Sequence, residues 1–227
     1  MARPLFIAID GPSGAGKGTI ARALAEALGY RHIDSGAMYR AVGWKALRDG
    51  LALTDEAAIG ALAEQSAIDV EGSAVRIDGV DVSQAIRTPA IDRAAAAVAR
   101  LPKVREALVA RLRVAGAGGG VIMEGRDIGT VVFPAADVKF YLDADAQERA
   151  RRRALDPAHT GATSVAEVAS ALGERDESDR TRTIAPLTAA SDAYVLDTTG
   201  QPIAVVVDEV LHVVRALMNR LADGSRS

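Results

Sequence analysis

The sequence contains no cysteine. No disulfide framework, thiolate metal site or cysteine nucleophile can be built from it, which fits a reducing compartment. It also has no apolar stretch approaching the roughly 18 residues of a membrane-spanning helix. The N-terminal segment reaches the charged Asp10 too soon for a secretory signal. A cytoplasmic location and no membrane partner are therefore expected. There is no basic excess either: the net charge is −3. Nothing holds nucleic acid non-specifically, so no nucleic-acid partner is expected. Internal repeats and low-complexity linkers are absent. Lysine is scarce, with four (17, 45, 103 and 139) among 27 Lys plus Arg, leaving 23 Arg. The planar guanidinium suits phosphate oxygens better than an ammonium does. The chain is also rich in alanine, so codon bias accounts for much of this count, and position must decide which arginines matter.

What is present centres on residues 5 to 28. The chain of 227 residues, 49% hydrophobic, supports one large or two modest domains with a full core. Leu5 to Ile9 is a short apolar run typical of a strand buried on both faces. Gly11, Gly14 and Gly16 break it, which lets the backbone turn sharply and bring its N–H groups to an anion. From Lys17 onward, Ile20, Leu24 and Leu28 recur at helical spacing, and Gly29 sits where a helix ends. The order strand, glycine loop, helix start and Lys17 makes a phosphate cradle. The motif Gly11-x-x-x-x-Gly16-Lys17 is a P-loop with one departure. Gly18 stands where Ser or Thr usually follows the lysine, and Thr19 comes one later, so magnesium is expected to be held through water. A ligand-free glycine turn is the plain alternative, but loop, lysine and flanking elements all agree with the motif. The run Gly11-Pro-Ser-Gly-Ala-Gly16 lacks the spacing of a dinucleotide loop.

Further along, Arg31 to Asp34 reads as a second strand. Ser35 reads as the cap of a helix from Gly36 to Arg48. Thr54 reads as the cap of a helix to about Gln65, with Asp55 and Glu56 in its first turn. Ala67 to Glu71, Ala74 to Asp78 and Val80 to Val82 alternate and are split by Glu71-Gly72 and Asp78-Gly79. A small inserted antiparallel sheet is expected there. Thr88-Pro89 starts a helix to about Arg100, and Pro102 restarts one to Gly116. Val121 to Glu124 and Val138 to Leu142 read as buried strands, with Gly125-Arg126-Asp127 just past the first. A helix from Asp145 to Leu155 and a loop from Pro157 to Thr163 follow. The capping box Ser164-Val-Ala-Glu167 then opens a helix running into Glu174 to Arg182. Ala193 to Asp197 is a fifth strand. Pro202 begins the last amphipathic helix, to about Asp223, and Gly224 to Ser227 reads as a frayed tail. His32, His159 and His212 are scattered and read as structural or exposed. Five buried strands alternating with helices predict an α/β fold, with a five-stranded parallel sheet covered on both faces. Ligands of such sheets sit at the strands' carboxyl ends, where Gly11 to Lys17, Asp34-Ser35 and Gly125 to Asp127 converge.

A P-loop holds a triphosphate, and the remaining question is the acceptor. A hydroxyl or water acceptor calls for a base or positioning residue. A phosphate acceptor is already anionic and instead calls for cations. The chain offers Arg40, Arg126, Arg149 to Arg153, Arg175, Arg180 and Arg182. Arg149 and Arg153, spaced i, i+4, share a helix face and are placed to close on one ligand. Solvated ion pairs and cations near a helix C-terminus are the plain readings of the same residues.

Four segments together carry a resemblance. Gly11-Pro-Ser-Gly-Ala-Gly-Lys-Gly-Thr19, Asp34-Ser-Gly-Ala-Met-Tyr-Arg40, Gly125-Arg-Asp-Ile-Gly-Thr-Val-Val-Phe-Pro134 and Arg175-Asp-x-x-Asp-Arg-x-Arg182 resemble bacterial cytidylate kinases, P-loop nucleoside monophosphate kinases, over nearly the whole chain. The resemblance implies transfer of the ATP γ-phosphoryl group to CMP or dCMP, with magnesium. It implies that Gly11, Pro12, Ser13, Gly14, Ala15, Gly16, Lys17, Gly18 and Thr19 hold ATP. Arg40, Arg126 and Arg182 would hold the acceptor phosphate. Ser35, Arg105 and Asp127 would line the base pocket, and Arg175 and Asp179 would meet the sugar. Arg149 and Arg153 would be lid arginines, acting in catalysis with Lys17, Arg126 and Arg182. It further implies a core of residues 1–34, 117–148 and 183–227, an acceptor-binding region 35–116 carrying the small sheet, a helical lid 149–182, and a monomer. One departure stands out: Ala96 takes the place of a serine that helps hold the base. A kinase for another small acceptor and a non-catalytic nucleotide-binding module are the alternatives.

Overall fold

The computed structural model describes residues 3–156 and 164–224. The expected loop from Pro157 to Thr163, with His159, and the tail beyond Gly224 lie outside them. In chain order the elements are β1 (Phe6–Asp10), α1 (Lys17–Leu28), β2 (Arg31–Asp34), α2 (Ser35–Arg48), α3 (Glu56–Gln65), β3 (Ile68–Glu71), β4 (Ala74–Ile77) and β5 (Val80–Asp81). Then come α4 (Pro89–Val98), α5 (Pro102–Gly116), β6 (Val121–Gly125), a π-helical turn (Ile128–Val132), β7 (Val138–Asp143), α6 (Ala146–Ala154), α7 (Val165–Arg180), β8 (Tyr194–Asp197) and α8 (Ile203–Gly224).

The large sheet is parallel throughout, in the order β2-β6-β1-β7-β8. β1 is buried along its whole length and alternates between two cores. Leu5, Ile7 and Ile9 pack with Ile20 and Leu24 of α1 and Val206 and Val210 of α8. Phe6 and Ala8 face the other way, onto Tyr39 and Val42 of α2 and Leu108 and Leu112 of α5. That is the two-sided burial a parallel sheet demands. Both edge strands depart from the expected five buried ones: in β2 only Ile33 is buried, and in β8 Tyr194 is 46% and Val195 63% exposed. β8 is an edge strand with a neighbour on one side only, so its side chains keep contact with water.

The inserted sheet β3-β4-β5 is antiparallel, as expected. Asp78 and Gly79 both take positive φ (51° and 78°), which suits the tight turn an Asp-Gly pair makes. Its inner face, Val75 and Ile77, packs with Val82, Ile86 and Ile91 against Ala37 and Ala41 of α2.

Two caps differ from expectation. Asp34, not Ser35, caps α2: its Oδ1 accepts from the Ala37 amide at 3.1 Å. That frees the Ser35 hydroxyl to donate to the Glu124 carbonyl at 2.7 Å. Asp55, not Thr54, caps α3 through the Ala58 amide at 3.0 Å, in keeping with the stronger capping of aspartate. Thr88 and Ser164 cap α4 and α7 as expected. α7 stops at Arg180, Thr181 closes it, and Arg182 beyond it is buried.

Candidate active site

Register brings three strand ends level. Asp10 pairs with Gly125, and Asp34 with Glu124. The segments that leave these ends surround one cavity of about 760 Å³.

The P-loop is the floor. Gly11 has φ 144°, and a Cβ there would lie 2.0 Å from the Leu142 carbonyl oxygen. Gly14 has φ 81°, and its Cβ would lie 2.9 Å from that of Arg149. Only glycine lets the loop lie this close to β7 and α6. Lys17 opens α1, is buried, and donates from Nζ to the Pro12 carbonyl at 2.7 Å. Burial, and then the nearby Arg126 guanidinium, push its pKa down to about 7. A group held so far below the lysine range is a cation short of anions, and a bound phosphate would restore its charge.

Asp10 holds the opposite wall. Its carboxylate accepts from the Ile128 amide at 2.8 Å and the Gly129 amide at 2.7 Å. Burial raises its pKa to about 6 against those two bonds. This pins the π-helical turn to β1 and fixes the Gly125-Arg126-Asp127 corner. Gly125 is required there, because a Cβ would meet the Ser35 hydroxyl oxygen at 2.5 Å.

The arginines come from separate elements. Arg40 of α2 donates to Asp34 at 2.6 Å. Arg126 spans the site, with Nε on Asp179 at 2.9 Å and Nη2 on the Ser13 hydroxyl at 2.6 Å. Burial alone would raise the Asp179 pKa, but Arg126, Arg175 and Arg182 hold it below the usual carboxylate value. Arg182 donates from Nε to the Asp179 carbonyl at 3.3 Å, and its Nη2 is buried with no partner among the described residues. Arg105 pairs with Asp127, both buried, and leaves Nη1 without a partner among the described residues. Both residues line the cavity, and each keeps a buried donor that no described group satisfies.

Most of the expected site residues line this cavity: Ser13, Gly14, Gly16, Lys17, Gly18, Thr19, Ser35, Arg40, Arg105, Arg126, Asp127, Arg153, Arg175, Asp179 and Arg182. Gly11, Pro12 and Ala15 are buried and do not line it. Arg149 and Arg153 take different protein partners. Arg149 turns inward, donating to the Ser13 carbonyl at 3.0 Å and the Ala144 carbonyl at 2.9 Å and pairing with buried Asp176. Arg153 reaches Asp92 of α4 at 2.6 Å. Sharing a helix face does not fix direction when carboxylates, buried Asp176 and half-buried Asp92, lie on different sides. Arg149 is thereby a strut between α6, α7 and the P-loop.

Several residues of the site escaped the sequence reading. Glu124, at the end of β6, approaches the loop: a Cβ on Gly18 would lie 3.0 Å from its Oε1. His32 Nε2 lies 2.9 Å from the same oxygen. Glu124 looked like the last residue of a buried strand, and only the missing side chain at Gly18 hinted that something occupies the space. Arg87 also lines the cavity. Arg152, already within the arginine cluster read from the sequence, lines it too, donating to the Thr198 hydroxyl at 2.9 Å and to Glu148 at 2.8 Å.

A P-loop under a parallel sheet, facing a hollow ringed by arginines from several segments, defines a phosphotransferase of the P-loop kinase class. The family model described as cytidylate kinase matches residues 7–216, and the chain belongs to that family. It is 49% identical over 215 residues to the cytidylate kinase of Desulfitobacterium hafniense (strain Y51), covering 93% of each chain. It is 46% identical over 224 residues to that of Solibacter usitatus (strain Ellin6076), covering 97% of each. Among solved structures it resembles a gluconokinase from Sinorhizobium meliloti 1021, with a TM-score of 0.52 at 18% identity over 100% of this chain and 98% of that one. That likeness is one of fold.

Proposed function

We propose that this chain moves the γ-phosphoryl group of ATP to the phosphate of CMP or dCMP, giving ADP and CDP or dCDP. The observation that carries this reading is the convergence of Lys17, Arg40, Arg126 and Arg182, from four different segments, on one cavity. Two polyanions repel, and fixed cations from separate elements are what allows them to meet end to end. An acceptor phosphate oxygen attacks the γ-phosphorus, and the bond to the β–γ bridging oxygen breaks. The acceptor is already ionised near neutral pH, so no base has to take a proton from it.

In this reading the loop amides of residues 11 to 19 and Lys17 hold the donor's phosphates. Arg40, Arg126 and Arg182 grip the acceptor phosphate. Asp127 accepts from the exocyclic amine of cytosine, and Arg105 donates to the ring's acceptors. Arg175 and Asp179 meet the sugar. Arg153 faces the transferring group, and Arg149 acts from behind by holding the loop. Magnesium fits the donors present: Glu124 offers a hard carboxylate oxygen beside Gly18, Thr19 is exposed at the cavity, and the nucleotide supplies phosphate oxygens. It would offset phosphate charge. Among the described residues no three acidic or histidine side chains form a cage, which suits an ion carried largely by phosphate and water.

The same reading divides the chain into a core (1–34, 117–148, 183–227), an acceptor-binding region (35–116) and a lid (149–182). Closing the lid over the cavity would exclude water, the competing acceptor. The chain acts in the cytoplasm as a monomer on small-molecule substrates.

The test is ADP release measured with CMP, dCMP, UMP and AMP at matched concentrations. CMP and dCMP are expected to be used best. Equal use of all four would defeat the assignment. The UMP arm also reports the wall of Ala95, Ala96 and Ala99, which line the cavity without a hydroxyl.

A further inference from the structure

Asp92 lies in the first turn of α4, within the acceptor-binding region. Its Oδ2 accepts from Arg153 of α6 at 2.6 Å, and its Oδ1 from Arg175 of α7 at 2.7 Å. One carboxylate thus ties the acceptor-side helix to two separate helices of the proposed lid. Both arginines line the cavity, and Asp92 does not. The carboxylate therefore stands behind the guanidinium groups rather than in the place of a ligand.

The two arginines need such a partner. Burial lowers the Arg153 pKa, Asp92 opposes that, and the neighbouring Arg175 and Arg40 guanidinium groups lower it further. Three like charges crowd one corner, and without an anion behind them they would be driven apart. Held by Asp92, each still has N–H groups to spare. The Nε of Arg175 is buried with no partner among the described residues.

We propose that Asp92 is a positioning residue for phosphoryl transfer: it braces Arg153 and Arg175 in their cavity-facing poses, so that donor-side and acceptor-side contacts are set by one side chain. Asp92 touches neither substrate and acts through the two arginines. The inference rests on the roles given above to Arg153, on the transferring group, and Arg175, on the acceptor.

Steady-state kinetics of the full chain test it. Arg153→Ala is expected to lower kcat, and Arg175→Ala to raise the KM for CMP. Asp92→Asn on the wild-type background does both, lowering kcat about 10- to 100-fold, the usual loss when a reacting contact is misplaced by about an ångström. In the Arg153→Ala background Asp92→Asn raises only the CMP constant further. In the Arg175→Ala background it lowers only kcat further. Asp92→Glu, which keeps the charge, restores most of both. Should Asp92→Asn fail to fold, Asp92→Ser is read in the same two backgrounds. Unchanged kcat and CMP constant in Asp92→Asn would overturn the brace. So would equal losses of both parameters in both backgrounds without recovery by Asp92→Glu. Unchanged behaviour of either arginine variant alone counts against the role of that arginine.

Discussion

Arg126→Ala separates the two jobs given to this arginine. The side chain is 17% exposed and its partner Asp179 6%. Removing one member of a buried pair costs about 3–5 kcal/mol. Arg175 and Arg182 remain beside Asp179, so about 3 kcal/mol is expected here. For a chain of this size that lowers the unfolding midpoint by roughly 6–12 °C. The acid limb of the stability curve should also flatten. Asp179 has a folded pKa below its unfolded value, so its contribution is present above the unfolded pKa and lost as pH falls through the folded one. A smaller depression leaves less to lose. On activity, one charge-assisted bond to the acceptor phosphate goes, about 1.5–3 kcal/mol. At about 1.4 kcal/mol per tenfold, kcat/KM for CMP falls roughly 10- to 100-fold. The assay is ADP release with CMP varied at saturating ATP, then the converse, alongside thermal unfolding. A variant in which only the ATP constant changes would refute the acceptor role. One that keeps its stability would refute the buried-pair argument.

Three further outcomes follow from the geometry. Lys17→Met is expected to abolish turnover and yet raise the unfolding midpoint of the nucleotide-free protein at neutral pH and below, since a buried cation is replaced by an apolar side chain; a destabilised variant would contradict this. In the wild type, Lys17 is held down to about 7, so kcat/KM for ATP should fall as pH rises through that value, and the stability contribution of this residue should increase from about pH 7 to the unfolded lysine pKa. Asp10→Asn replaces an acceptor of two amide bonds by a group with one acceptor oxygen, costing about 1–3 kcal/mol in denaturant unfolding; no loss would mean that the π-helical turn is held by something else. Gly125→Ala sets a methyl 2.5 Å from the Ser35 hydroxyl and 2.8 Å from Ile128, with about 1–3 kcal/mol of overpacking expected, and unchanged unfolding would show that this corner gives way.

Much of this was legible in the chain. Leu5 to Ile9 and the glycines after it encode strand, loop and helix locally, because burial period and backbone freedom are properties of neighbouring residues. The arginines that reach the cavity could be placed at strand ends and in the charged stretch near Arg182. Their partners could not. Arg149 and Arg153 sit four residues apart on one helix, yet one is drawn to Asp176 and the other to Asp92. Those choices depend on how α6 packs against α7 and α4, which local pattern does not specify. Glu124 was hidden because a strand-end carboxylate looks like any other until the neighbouring loop is seen to leave room for it. The exchange of Ser35 for Asp34 as cap has the same origin: the Glu124 carbonyl that engages the Ser35 hydroxyl is 89 residues away.

The central claim is that both nucleotides occupy one cavity and are reconciled there by guanidinium groups. Binding of a single molecule with adenosine and cytidine joined through an oligophosphate linker, measured by calorimetry, tests this directly. The account predicts one molecule bound per chain, displaced by either ATP or CMP, and weakened by Arg40→Ala, Arg126→Ala and Arg182→Ala alike. Displacement by ATP alone, with CMP binding undisturbed beside it, would contradict it.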